Sequence, residues 1–166
     1  KDKPGKLNLP GATMEGWHSV GELVPSGVTY LCEGIATAWA CWQATGAAAV
    51  ACCGWGRVRG VTAALRQRDA SARLVLVPDV GKEQDADKIA LEVRAAVAYM
   101  PQGEANNFDA CDLAMRDGGD VLAAAIDDRL RTGLGFCCRI GKGAGLCRAA
   151  AALVDDPRLL DRDVLL

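Results

Sequence analysis

The sequence predicts an α/β protein: a mostly parallel four-stranded sheet with helices on both faces. Three observations lead there. Four apolar runs of strand length alternate with helical patterns between Val28 and Leu130. The runs are continuously apolar, as strands covered on both faces must be. Hydrophobic residues make up 51% of the chain but aromatics only 5%, which suits a core of small side chains and close helix–sheet contacts.

The elements follow in order. Residues 1–27 are rich in Gly and Pro, with short extended pieces at Lys6–Leu9 and Trp17–Val20 that read as an edge hairpin. Val28–Cys32 is β-branched, aromatic and apolar, a strong strand ended by Glu33-Gly34. Ile35, Ala38, Trp39 and Trp42 recur at helical spacing over Ile35–Thr45, and Gly46 stops the helix. Ala47–Cys53 is the second strand, Gly54-Trp55-Gly56 a turn, and Val58–Arg68 a helix with an arginine-rich outer side. Leu74–Val77 is the third strand, closed by Pro78-Asp79, and Lys82–Ala95 an amphipathic helix. Ala96–Met100 is the fourth strand, broken by Pro101; Asn106–Asp112 reads as a loop and Val121–Leu130 as a helix. The organisation expected is an N-terminal segment over 1–27, an α/β domain over 28–130, and a peripheral helix or linker over 131–166.

Length and charge narrow the function classes. The 166 residues suit one domain. Residues 1–80 carry eight Lys/Arg and six Asp/Glu, and residues 81–166 carry eleven and fifteen. A mildly basic half beside an acidic half suits a site where metal and polyanion meet. The eight cysteines include two adjacent pairs, Cys52–Cys53 and Cys137–Cys138, and His18 is the sole histidine. Neither a disulfide scaffold nor a zinc site of ordinary spacing fits. Buried thiols, a cytoplasmic location and no membrane partner are therefore expected. The first residue is Lys, so a fragment of a longer protein is expected.

In an open parallel sheet, ligands gather outside the carboxyl ends of the strands. Glu33 follows the first strand, Asp79 the third, and Asp109 and Asp112 lie beyond the fourth. Carboxylates are the ligands of hard cations such as Mg2+, which takes one or two from protein and completes its shell with phosphate and water. The plainer role for each residue is to cap a helix or end a strand.

Three segments then resemble a known family. Leu31-Cys32-Glu33-Gly34-Ile35-Ala36-Thr37-Ala38 resembles the strand–Glu–Gly–helix start of the toprim domain, found in bacterial primases, topoisomerases and related nucleases. Ala72–Asp79 resembles its second motif, and Asn107-Phe108-Asp109-Ala110-Cys111-Asp112-Leu113 its Asp-x-x-Asp loop. Leu9–Ala12 and Gly16–Gly21 look like the segment before the toprim core in primases of plasmids, phages and integrated elements. The resemblance runs from about Lys6 to Ile126. It implies a toprim-like fold and Mg2+-dependent (or Mn2+-dependent) nucleotidyl transfer on DNA, with nucleoside triphosphates as substrate and a helicase or other domains of the same polypeptide as partners. Glu33 would be the general acid/base. Glu33, Asp79, Asp109 and Asp112 would serve the metal. Lys82, Arg57 and Arg59 are the candidate nucleic-acid contacts. The sequence departs from the family at Gly81, where the second aspartate of the Asp-x-Asp motif belongs. Asp85 or Asp87 could compensate, and Gly81→Asp is expected to raise metal affinity if the backbone there suits a side chain. A degraded toprim module that only binds nucleic acid or a helicase is the second reading.

Two glycine motifs compete. Gly54–Gly60 is a GxGxxxG between strand and helix with Asp79 ending the next strand, close to a dinucleotide fingerprint. Trp55 would crowd the pyrophosphate, and a tight turn between strand and helix explains the glycines better. Gly135–Gly143 has the wrong spacing for a phosphate loop, and Gly143 stands where the Ser/Thr that holds Mg2+ belongs.

Overall fold

The computed structural model describes residues 15–131. The expected strand at Lys6–Leu9, the Leu9–Ala12 motif, the Gly135–Gly143 segment and the tail 132–166 lie outside the described residues. The sheet has five strands, where four were expected: β1 (His18–Val20), β2 (Val28–Cys32), β3 (Ala48–Ala51), β4 (Arg73–Val77) and β5 (Ala96–Val97), in the order β1-β3-β2-β4-β5. The core β3-β2-β4-β5 is parallel throughout, as the apolar runs predict. The sheet as a whole is mixed, because β1 pairs antiparallel with β3, Ser19 opposite Val50. The link over 21–27 joins β1 to β2 and is too short for the crossover that would keep those two strands parallel. β1 therefore runs the other way, on the outer edge of β3.

Strand alternation divides the core in two. Tyr30 and Cys32 of β2, Ala49 and Ala51 of β3, and Val75 and Val77 of β4 face one side. Packed against them are α1 (Ile35–Thr45), α4 (Ala110–Asp117) and α5 (Gly119–Arg131), through Ala38, Cys41, Leu113, Leu122 and Ile126. Leu31, Val50, Leu74 and Leu76 face the other side, against Val58, Val61 and Leu65 of α2 (Trp55–Arg68) and Ile89 and Val93 of α3 (Glu83–Val93). Each fully buried Leu or Ile contributes about 1.5–3 kcal/mol of transfer free energy. Arg66 adds a polar clasp: its guanidinium donates to the carbonyls of Ala70, Ala72, Val93 and Arg94 and ties the end of α2 to the end of α3.

Two expected elements change. The fourth parallel strand stops at Val97, although Ala98 still donates to Leu76 O (2.8 Å). The loop assigned to Asn106–Asp112 turns into α4 at Ala110, because Asp109 and Asp112 make a capping box that starts a helix there.

Candidate functional site at the carboxyl edge of the sheet

The strand order fixes where a ligand can sit. From β2 the chain turns through α1 to β3 on one side; from β4 it turns through α3 to β5 on the other. α1 and α3 lie on opposite faces. The loops leaving β2 and β4 thus diverge and open a crevice, the topological switch point of an open α/β sheet. Cys32 is level with Val77 in the parallel pair. Glu33 and Asp79 are the first acidic residues beyond it on strands about 4.8 Å apart. Both are half-buried.

A backbone zipper brings in the third carboxylate arm. Val80 N–H donates to Phe108 O and Asn107 N–H to Val80 O, both at 2.9 Å. This joins the loop after β4 to the loop before α4 and sets Asp109 beside Asp79. Asn107 turns the chain there with φ +65°, a left-handed conformation that Asn tolerates better than most residues. Nothing in the spacing of the sequence announces this pairing.

The electrostatics record the convergence. Burial pushes the Asp79 carboxyl up to about 6, the charges of Glu33 and then Asp109 add to the push, Lys82 opposes it, and Asp112 adds a smaller repulsion. Oδ1 of Asp79 is buried and has no hydrogen-bond partner among the described residues. A buried carboxylate oxygen without a donor calls for a proton or a cation. Glu33 is held by its backbone, with Gly54 N–H on its carbonyl (3.1 Å). Just before it, the Cys32 thiol is held protonated by its contact with Cys41 Sγ (3.8 Å) and by burial. The five described cysteines are all free thiols.

Asp109 and Asp112 also carry the plainer role. Asp109 Oδ1 accepts from Asp112 N–H (2.9 Å), Asp112 Oδ2 accepts from Asp109 N–H (3.1 Å), and Asp109 Oδ2 accepts from Thr37 Oγ1 (2.9 Å). Among the described residues, no three His, Cys, Asp or Glu side chains close into a ready metal cage. A cation at this edge could take Asp79 and Glu33 as ligands and would need water or phosphate to complete its shell.

Gly81, where the resemblance would place an aspartate, has a backbone unsuited to a side chain. Its φ is +96°, and a Cβ there would stand 2.2 Å from Asn106 Oδ1. The Gly81 N–H donates to both oxygens of Glu83 (3.0 and 2.9 Å). Of the two acids that follow on α3, Asp85 accepts from Trp55 Nε1 (2.8 Å) and Asp87 from the Tyr99 hydroxyl.

The cations are distributed unevenly. Lys82 stands at the start of α3 within electrostatic reach of Asp79. Arg57 donates to the Gly16 carbonyl, and Arg59 pairs with Glu92 and, at 3.7 Å, with Asp85. Both belong to α2, on the face opposite α1, and already have partners. Gly56 and Gly60 lie inside α2, and only Gly54 is in the turn. β2 separates the Gly54 turn after β3 from Asp79 after β4, whereas a dinucleotide fingerprint requires phosphate turn and ribose acid on neighbouring strands.

Compared with known proteins, the chain matches no family model, no curated protein and no solved structure at a significant level. No helix among the described residues is long and apolar enough to cross a membrane.

Proposed function

We propose that this chain is a toprim-type domain that carries out Mg2+-dependent nucleotidyl transfer on DNA, as in the primases of mobile elements, in the cytoplasm and beside a helicase or other domains of one polypeptide. The observation that carries this reading is the buried oxygen of Asp79 at the switch point, without a hydrogen-bond partner among the described residues, with the charges of Glu33, Asp109 and Asp112 acting on the carboxyl. Asp79 and Glu33 would hold the ion, Mg2+ or Mn2+. When bound, such an ion neutralises phosphate charge and lowers the pKa of a coordinated hydroxyl. Glu33 accepts the proton of the attacking 3′-hydroxyl as the new phosphodiester bond forms and pyrophosphate leaves. Lys82 offsets charge on the phosphates.

The second reading, a module that binds nucleic acid without transfer, is favoured by Gly81, whose positive φ strains any L side chain and whose Cβ would collide with the Asn106 side chain, at the position where the resemblance expects a second aspartate. The dinucleotide reading finds no support in the strand order. Primer extension with Mg2+ and nucleoside triphosphates separates the first two. Glu33→Gln removes a proton acceptor and no phosphate contact, so transfer is lost while DNA binding persists. Transfer surviving that change rules out the mechanism. An inert wild-type chain that binds DNA selects the second reading, and one that neither transfers nor binds removes both.

A further inference from the structure

We infer that Thr37 is a positioning residue for the carboxylate cluster, holding Asp109 in the orientation from which it faces Asp79; the inference rests on the metal-dependent reading above. Thr37 lies in the first turn of α1, 2% exposed, and its hydroxyl donates to Asp109 Oδ2 at 2.9 Å across 72 residues of sequence. A helical threonine ordinarily turns its hydroxyl back to the carbonyl four residues earlier. The other two helical threonines do so: Thr45 donates to Cys41 O (2.8 Å) and Thr62 to Val58 O (2.6 Å). For Thr37 the residue four earlier is Glu33, which lies before the extended N-cap Gly34 and so outside the helix, where it offers no carbonyl over that turn. The Thr37 hydroxyl therefore reaches outward.

The helix cap does not need this bond. Asp109 Oδ1 already receives the Asp112 N–H and completes the capping box. Packing of α1 on α4 does not need it either, since Ala38, Cys41, Ala110 and Leu113 meet in one buried cluster. What the bond adds is a fixed second oxygen. With both oxygens held, the Asp109 carboxylate cannot swing to solvent, away from the repulsion of Asp79. Thr37 sits four residues beyond Glu33, so it links the β2–α1 arm of the cluster to the α4 arm. Partners of this kind, which orient a ligand without touching the ion, commonly govern metal affinity.

The test is a Mn2+ titration of the whole chain with a single-stranded oligonucleotide present, following the free-ion paramagnetic resonance signal, with Asp79→Asn as reference. Thr37→Val keeps volume and removes the donor; it weakens Mn2+ binding about tenfold, Thr37→Ser restores it, and Asp109→Asn weakens it to the same degree. The Thr37→Val/Asp109→Asn pair is no weaker than either single change, because both remove one interaction. Thr37→Ala, with its high helix propensity, serves if the valine variant fails to fold. Mn2+ binding unchanged in Thr37→Val or Thr37→Ala but lost in Asp79→Asn overturns the inference and leaves the metal site standing. Additive losses in the pair also overturn it, since Thr37 then acts other than through Asp109. A wild-type chain that binds no Mn2+ overturns both the inference and the reading beneath it.

Discussion

At the scale of single residues, Gly81 and Asp79 set the character of the site. The sequence alone makes Gly81→Asp look like a repair, restoring a lost ligand. The backbone reverses that expectation: φ +96° is unfavourable for any L side chain, and the new Cβ would meet Asn106 Oδ1 at 2.2 Å. Gly81→Asp is expected to lower stability by about 1–3 kcal/mol in a urea melt without raising Mn2+ affinity. Adding Asn106→Ala relieves the contact and leaves the backbone strain. Wild-type stability together with tighter Mn2+ binding would falsify this account. Asp79 makes the complementary statement about pH. Its carboxyl is raised to about 6, first by burial and then by Glu33 and Asp109. Between about pH 4 and 6 the folded chain keeps a proton there that the unfolded chain has released, so this group's contribution to stability falls as pH rises through that window. Asp79→Asn cannot ionise. Relative to wild type it should gain stability from pH 4.5 to pH 7 in metal-free melts, and parallel pH profiles for the two chains would contradict the raised pKa.

At the scale of elements, the sequence was legible where hydrophobic pattern decides and opaque where loops meet. Three of the parallel strands lie within the apolar runs and β4 starts one residue earlier, at Arg73; α1 spans the residues its periodicity predicts, closed by Gly46 with φ +71°. β1 was legible as an extended piece but not as a partner of β3, because three residues carry no signal of whom they pair with. α4 was hidden by an ambiguity in Asp109-x-x-Asp112. That spacing serves a metal loop, and it equally puts one carboxylate at the N-cap and one at N3. The acids of the site could be named from their places after strands, whereas Thr37, Asn106 and the Val80–Phe108 zipper could not, since their contacts join distant segments. The two roles of Asp109 can be separated by choice of substitution. Asn caps helices as well as Asp, so Asp109→Asn should keep α4 intact, while Asp109→Ala should cost about 1 kcal/mol. Urea melts of both read the cap together with the Thr37 hydrogen bond. Equal losses in the two would mean that the charge, and not the cap, stabilises α4.

At the scale of the whole molecule, strand order makes one edge of the sheet chemically distinct. β2 and β4 are adjacent, and the chain leaves β2 toward β3 and β4 toward β5, so among the described residues the loops diverge at the crevice beyond Cys32 and Val77. Asp79 at that crevice feels the repulsion of Glu33, Asp109 and Asp112 and the attraction of Lys82. The Gly54 turn lies one strand further out, and the arginines behind it are paired with Gly16, Glu92 and Asp85. A dinucleotide would need the Gly54 turn, and a phosphate-bound metal would need the crevice. Trace Mn2+ added to the isotope-labelled chain distinguishes the two without requiring activity, because the ion broadens amide signals nearest to it. Broadening is expected for Glu33–Thr37, Asp79–Lys82 and Phe108–Asp112, deepening when an oligonucleotide supplies phosphates for the coordination shell. The Gly54–Gly60 amides should keep their intensity more than these, and NAD should shift none of them. Broadening centred on the acidic surface of α3, or spread evenly over the chain, would mean that the carboxylates at the crevice hold no ion in common. NAD-dependent shifts at Gly54–Gly60, abolished by Gly56→Val, would move the functional site one strand outward.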